Sequence, residues 1–534
     1  MNDARSSDNS QSRPNIVLIL VDDMGYSDIG CYGSEIRTPN LNRLAENGLR
    51  FTQMYNCARC CPTRASLLTG LYPHQAGIGH MVGNHGVREY QGYLRDDCAT
   101  IAELLRAGGY RTLMSGKWHV GGGYQGNKPE TWDSGAEDHP LPVQRGFDRH
   151  YGMLGGGGSY FRPPYMARDD QIIETEGDDY YLTDAISDEA VGMIGEAAGG
   201  EDPFFLYVAY TAPHWPLHAP AEDIARYEGK YRNMGWDGLR TGRHEELKGL
   251  GILDAKWEIS ARDEKAPPWE EVAEKDWEDL RMAVYAAQVD RMDQGIGKIT
   301  DRLRDLEIEE NTLVLFLSDN GGCAEFLAEE SNRKEPFRYN VPTRDGKPMR
   351  IGNTPKIKPG PADTFASYDL PWANASNSPF RLYKHWVHEG GISTPLIVHW
   401  PAALKEGRIA HQPCHVIDIM ATCLEAAGVE YPEEFEGKAI TPLEGESLLP
   451  AIRGKEWTRE RPIFWEHEGN RAVRDGEWKL VRKYPGNWEL YNMSEDRTEL
   501  DDLAEREKGR VEEMIGIYGE WAERCGVLEW PLKR

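Results

Sequence analysis

Five short apolar runs, each stopping abruptly in polar residues, constrain this chain more than any other feature. Residues 15–21 run into Asp22 and Asp23, and 312–318 into Asp319, Asn320, Gly321 and Gly322. Residues 204–210 lead to His214, 111–115 to Gly116, Lys117, Trp118 and His119, and 394–398 to His399 and Trp400. None of these runs alternates polar with apolar positions, so each fits a strand covered on both faces, as in parallel sheets. Helical patterns lie between them at about 38–47, 99–107, 183–197, 277–305 and 416–427. The first has Thr38 as N-cap, Pro39 in its first turn and Gly48 as its stop. Alternation of this kind predicts an α/β fold, a large mixed, mostly parallel sheet flanked by helices. Ligands of such sheets gather at the carboxyl ends of the strands, where the polar clusters fall.

Residues 1–13 read as a polar tail and 14–430 as the main α/β domain. Within it, 323–380 is polar, weakly periodic and rich in Pro, Lys and Arg, and reads as a long surface excursion. After about 430 the character changes. A Pro/Glu/Gly-rich stretch gives way to short β-like runs over 462–491, with turns at Glu468-Gly469-Asn470 and Asp475-Gly476, then an amphipathic helix at about 504–524. The pattern predicts a smaller C-terminal α+β domain over 431–534, a short antiparallel sheet with one helix.

The formal charge of −27 disfavours nucleic acid and anionic membrane as partners, because both reward a basic face. Any anion site must then be a local basic pocket. The first apolar run is far too short for a signal core or a membrane span, so the chain reads as cytoplasmic. Nine cysteines, at 31, 57, 60, 61, 98, 323, 414, 423 and 525, are too scattered for a disulfide framework.

One segment carries chemistry. Cys60, Cys61, Pro62, Thr63 and Arg64, followed by Leu68, Thr69 and Gly70, resemble the sulfatase signature, Cys or Ser-x-Pro-x-Arg with Leu-Thr-Gly at set spacing. Only Cys60 is in register, with Pro62 two residues on and Arg64 four. From Cys61 those positions hold Thr63 and Ala65, and from Cys57 they hold Arg59 and Cys61. The resemblance implies that a formylglycine-generating enzyme oxidises Cys60 to formylglycine, whose hydrate supplies the nucleophilic hydroxyl. Pro62 fits the first turn of a helix, which would set the reacting residue beside free N–H groups and the positive end of the dipole. Arg64 adds a planar donor for sulfate oxygens.

Asp-Asp and Asp-Asn-Gly-Gly are each ordinary turns when met alone. Taken together, Asp22, Asp23, Asp319 and Asn320 offer only oxygen donors from two strands expected to be neighbours, which favours Ca²⁺ or Mg²⁺ over zinc. By the resemblance, these residues and Cys60 hold a single divalent ion, usually Ca²⁺. Gly116-Lys117-Trp118-His119 looks like a further family element, with Lys117 contacting sulfate and His119 beside the formylglycine. His214 is the second matching histidine, and Lys384, five residues before Glu389-Gly390-Gly391, the second lysine. A zinc pair of His214 with His218 is disfavoured by Pro216, which interrupts a regular helix. His385 and His388 read as structural as readily as cleft-lining.

The ending over 377–391 looks like the arylsulfatase branch of the alkaline phosphatase superfamily, which implies hydrolysis of a small-molecule or carbohydrate sulfate ester. In the implied reaction Asp319 accepts a proton as the nucleophile attacks sulfur, His214 with Lys384 assists the leaving oxygen, and His119 acts on the second hydroxyl. Arg64, Lys117, His214 and Lys384 would bind the substrate. The leaving-group side is expected from 323–380 and from Trp465, His467 and Asn470. Two alternatives compete: a phosphodiester or phosphonate hydrolase of the same superfamily, and a binding protein in which Cys60 is never matured.

Overall fold

The computed structural model describes residues 13–123, 133–335 and 337–532. Strand β1, Asn15–Asp22, lies inside an eleven-stranded sheet. Its Val17, Ile19 and Val21 join the apolar core on one face, and its Ile16, Leu18 and Leu20 the core on the other, all fully buried. That two-sided burial is what the non-alternating run demands. The remaining strands are β2 (Leu49–Tyr55), β3 (Arg111–Gly116), β4 (Arg149–Met153), β5 (Met166–Arg168), β6 (Gln171–Ile173), β7 (Phe204–Pro213), β8 (Thr312–Ser318), β9 (Ser393–His399), β10 (Arg408–Ala410) and β11 (Cys414–His415). Their order is β10-β2-β9-β8-β1-β7-β3-β4-β5-β6, with β11 also on β2. The sheet is mixed: β8, β1, β7, β3 and β4 run parallel, whereas β9 is antiparallel to both β8 and β2. The run at 394–398 is therefore buried on both faces without being parallel, since burial alone does not set strand direction.

Helices Pro39–Glu46, Leu182–Ala197 and Lys275–Asp305 cover one face, and Cys60–Thr69, Ile101–Ala107 and Ile417–Ala427 the other. Thr38 occupies the N-cap position, but its hydroxyl makes no cap bond; it accepts from the Gly30 N–H at 2.8 Å. Among the described residues no helix is long and apolar enough to cross a membrane. All nine cysteines are buried and unbridged.

The segment 323–380 carries a small apolar cluster of its own, in which Phe337, Tyr339 and Phe365 pack on Trp215. Its final helix, Asp369–Ser376, buries Trp372 against Trp236 and Trp269.

Strands β12 (Ile463–His467), β13 (Asn470–Asp475), β14 (Trp478–Arg482) and β15 (Trp488–Asn492) form the expected antiparallel meander, backed by the helix Lys508–Cys525. Alternation sorts its two faces. Phe464, Val473 and Leu480 meet Met514, Tyr518 and Trp521 of that helix, while Trp465, Ala472 and Val481 meet Tyr55, Val387 and Ile392 of the main domain. A buried ionic cluster joins the two parts: Lys479 reaches Glu389 at 2.8 Å and Glu499 at 2.7 Å, and Arg497 reaches Glu389 at 3.3 Å. Burial works to raise the Glu389 carboxyl, but Lys479 and Arg497 outweigh it and hold it at about 2.

Candidate active site

Register brings the polar strand ends together. Val21 of β1 pairs with Ser318 of β8 and Asp22 lies opposite Pro213 of β7, so the pairs Asp22-Asp23 and Asp319-Asn320 emerge side by side with His214 next to them. Strand β3 adds Lys117 and His119 from the far side of β7. Gly116 makes that crossing possible: its φ is 121°, and a Cβ there would lie 1.9 Å from the Ala209 carbonyl oxygen. The helix Cys60–Thr69 begins over the same point, with Cys60 3 % exposed and Arg64 one turn further in. Lys384 arrives from the chain before β9, its backbone N–H donating to the Gly322 carbonyl at 3.1 Å.

The ten residues given catalytic, sulfate-binding or metal roles fall in this one place, whereas Trp465 packs against Tyr55 and Val387, and His467 and Asn470 lie beside His385. Arg64 donates to Asp319 Oδ2 from Nη2 at 2.7 Å and from Nε at 3.1 Å. Lys117 Nζ pairs with Asp22 and donates to the Gly156 carbonyl at 2.7 Å. Lys384 Nζ lies 2.6 Å from Asp23 Oδ1, which also accepts from the Asn320 amide at 2.7 Å. His214 Nε2 faces Asp23 Oδ2 at 3.5 Å, and its Nδ1 meets the Trp215 carbonyl at 2.5 Å. A ring nitrogen beside a carbonyl carries the proton, which leaves Nε2 directed at the site.

Charge burial shapes the site. Burial, then the neighbouring Asp22, push the Asp319 carboxyl well above its ordinary value. At Asp22 burial acts the same way, but Lys117, His214 and Arg64 prevail and hold it low. The Cys60 thiol is pulled well down by a hydrogen bond from Cys61 and, against burial, by Lys117, His119 and Lys384. Burial holds His119 at about 4, so its imidazole is neutral at pH 7.

The oxygens fit a hard cation. Asp22 Oδ1, Asp23 Oδ2 and Asn320 Oδ1 are buried and have no hydrogen-bond partner. Leaving such atoms unpaired costs about 1–3 kcal/mol each, more for charged groups, and an oxygen-only donor set suits Ca²⁺ or Mg²⁺. The cations of the expected basic pocket are present, but each is paired with a carboxylate. Arg59, Arg64, Lys117 and Lys384 face four carboxylates, Asp22, Asp23, Asp319 and Glu325. The pocket is close to neutral by itself, and a divalent cation would make it attractive to an anion.

Several contributors escaped the sequence reading. Arg59 pairs with Glu325 at 2.8 Å, and Glu325 also accepts from the Trp215 indole at 2.9 Å. The glycine run 155–158 closes over both histidines. A Cβ at Gly156 would stand 2.6 Å from His119 Nε2, and one at Gly157 3.2 Å from His214 Cε1. Four consecutive glycines were the available signal, since such a run marks close backbone approach.

Known proteins resemble this chain along most of its length. The family model described as Sulfatase matches residues 14–429, and that described as N-sulphoglucosamine sulphohydrolase, C-terminal, matches 380–515. An uncharacterized sulfatase of Schizosaccharomyces pombe is 32 % identical, covering 97 % of this chain and 95 % of that protein. An arylsulfatase of Klebsiella aerogenes is 34 % identical over 82 % of this chain and 92 % of its own length. Among solved structures, Ps i-CgsB in complex with k-i-k-neocarrahexaose is 26 % identical with a TM-score of 0.65, covering 96 % of this chain and 93 % of that one.

Proposed function

The chain belongs to the sulfatase family and is a sulfuric ester hydrolase; from that premise we propose that it acts on aryl-type sulfate esters through a formylglycine made from Cys60. The observation that carries this reading is the meeting of the in-register cysteine, at a helix start, with three buried oxygens that lack a hydrogen-bond partner and three cationic side chains. Asp22, Asp23, Asp319 and Asn320 would hold one divalent ion, Ca²⁺ or, alternatively, Mg²⁺. Such an ion, when bound, supplies positive charge that acidifies a hydroxyl at position 60 and neutralises sulfate. Formylglycine, once made, supplies a hydroxyl nucleophile where the thiol stood.

The remaining roles belong to the chain's own groups. Arg64, Lys117 and Lys384 orient the sulfate oxygens and answer the charge that builds on them. Asp319 takes the proton released at position 60. His214, fixed through Nδ1 by the Trp215 carbonyl, turns Nε2 toward the site to assist the leaving oxygen, with Lys384 across Asp23 from it. The neutral His119 accepts a proton at position 60 in the second half of the cycle.

The aryl reading is supported by the likeness to the Klebsiella arylsulfatase and by Tyr339, close enough to Lys117 and Cys60 to feel both charges, in a cluster with Trp215 and Phe337. A second reading, a carbohydrate sulfate, is favoured by the likeness to Ps i-CgsB with its neocarrahexaose. The deciding assay compares kcat/KM for 4-nitrophenyl sulfate, 4-nitrophenyl phosphate and sulfated monosaccharides, with mass spectrometry of the peptide carrying Cys60. Sulfate preference with the thiol replaced by the aldehyde is expected. A dominant phosphate activity, or a Cys60→Ala variant that stays fully active, would overturn it. An intact thiol with no turnover, in protein from a host with maturation machinery, would point to the binding protein instead.

A further inference from the structure

A second cluster of ligand-type side chains adjoins the active site, close enough to feel the charge of Arg59. The hairpin between β12 and β13 places His467 and Glu468 against His385, which follows Lys384, and against His80 from the loop after the helix Cys60–Thr69. Glu468 Oε1 lies 2.8 Å from His80 Nε2 and 3.8 Å from His467 Nε2, and Glu468 Oε2 lies 3.2 Å from His385 Nδ1. Ligand atoms of His385, His467 and Glu468 all fall within 4.8 Å of one another.

One feature of the cluster calls for a ligand, and two others let it take one. His467 is 1 % exposed, yet neither of its ring nitrogens has a hydrogen-bond partner. A doubly unpaired buried imidazole is expensive and calls for a partner, and this one has other ligand-type side chains beside it. Glu468, at φ 52°, opens the two-residue turn between β12 and β13, where such a hairpin requires a left-handed residue, and its carboxylate lies among the rings. The side chains of His80, His385 and Glu468 are 18 %, 27 % and 26 % exposed, which leaves a way in from solvent above the buried His467.

We propose that His385, His467 and Glu468 bind a borderline divalent cation of the zinc class, with His80 orienting the Glu468 carboxylate. Two imidazoles and one carboxylate suit Zn²⁺ rather than Ca²⁺, in contrast to the oxygen-only set at the strand ends. Tetrahedral bonds of about 2.0–2.2 Å place ligand atoms roughly 3.3–3.6 Å apart, within reach of small side-chain rotations here. Burial keeps His467 well below its ordinary value. The His385 backbone N–H donates to the Ala58 carbonyl at 2.8 Å, two residues before Cys60. The ion would therefore clamp the C-terminal hairpin onto the segments that carry Cys60 and Lys384.

The site is tested without turnover, so its fate is separate from that of the sulfatase reading. Zinc is titrated against a chromophoric chelator with Ca²⁺ in excess, in a Cys60→Ser, Cys61→Ser chain so that those two thiols do not compete. One equivalent is expected to bind and to raise the thermal midpoint. Glu468→Gln and His467→Ala are expected to weaken binding at least tenfold and abolish the thermal shift. Anomalous diffraction at the zinc edge of crystals with the pocket intact should give a peak between the three side chains, and decides the matter if His467→Ala does not fold. No bound equivalent, unchanged affinity in Glu468→Gln, or a peak elsewhere would overturn the proposal.

Discussion

Gly156→Ala tests how closely the glycine run holds His119. The added Cβ would lie 2.6 Å from Nε2 and 2.8 Å from Cε1 of the ring, whereas ordinary contact begins at 3.4 Å, so about 0.8 Å of clearance is missing. The loop cannot simply retreat, because the Gly156 carbonyl accepts from Lys117 Nζ at 2.7 Å. Either the imidazole swings away from position 60 or Lys117 loses a partner. Displacements near 1 Å in an active site cost on the order of 100-fold in rate, about 3 kcal/mol of barrier. The expected result is a fall of about 100-fold in kcat on 4-nitrophenyl sulfate with KM nearly unchanged, and urea stability within about 1 kcal/mol of the parent. Gly157→Ala, whose Cβ meets His214 at 3.2 Å, should cost much less. A Gly156→Ala enzyme with parental kcat would refute the positioning argument.

Chelation with EDTA should abolish activity, and Ca²⁺ should restore it to a dialysed enzyme; full activity in a metal-free sample by elemental analysis would exclude the cation. Asp22→Ala removes the carboxylate paired with the fully buried Lys117, so urea titration should show a loss of about 3 kcal/mol beside the loss of activity. Glu389, held at about 2 against an ordinary 4.5, contributes stability that is full above pH 4.5 and fades as pH falls toward 2. In urea titrations from pH 5 to pH 2, the parent's advantage over Glu389→Gln should shrink by about 3 kcal/mol; a constant gap would contradict this. Gly295→Ala sets a Cβ 2.1 Å from Ser187 Oγ between the helices Leu182–Ala197 and Lys275–Asp305, and should destabilise by about 1–3 kcal/mol.

The sheet and the oxygen donors were legible because both follow from short-range pattern. An apolar run without alternation announces a strand buried on both faces, and a polar cluster straight after it announces the strand's end. The direction of β9 was not legible, since antiparallel neighbours bury a strand just as fully. Motif spacing singled out Cys60 among three clustered cysteines. Ionic groups far apart in sequence gave no such signal: Lys479, Arg497 and Glu499 carry the usual marks of surface residues, yet all three are buried around Glu389. Arg59 with Glu325, and His80 with Glu468, are likewise pairings that only the folded chain makes.

The pairing of β1 with β8 has a consequence for how this protein is made. Asp23 and Asn320, hydrogen-bonded in the folded chain, are 297 residues apart. At synthesis rates of about 5–20 residues per second, β1 leaves the ribosome roughly 15–60 s before its neighbour exists. During that interval a strand built for burial on both faces has one bare hydrogen-bonding edge even after β7 has arrived, the situation in which nascent chains aggregate or recruit chaperones. The half-made chain also holds Asp22 and Asp23 without their partners, so the oxygen site cannot be completed until the ribosome has passed residue 320. Binding of the cation is thus tied to the late, long-range step of folding, and a stalled or truncated chain will carry the signature cysteine without the site built to serve it.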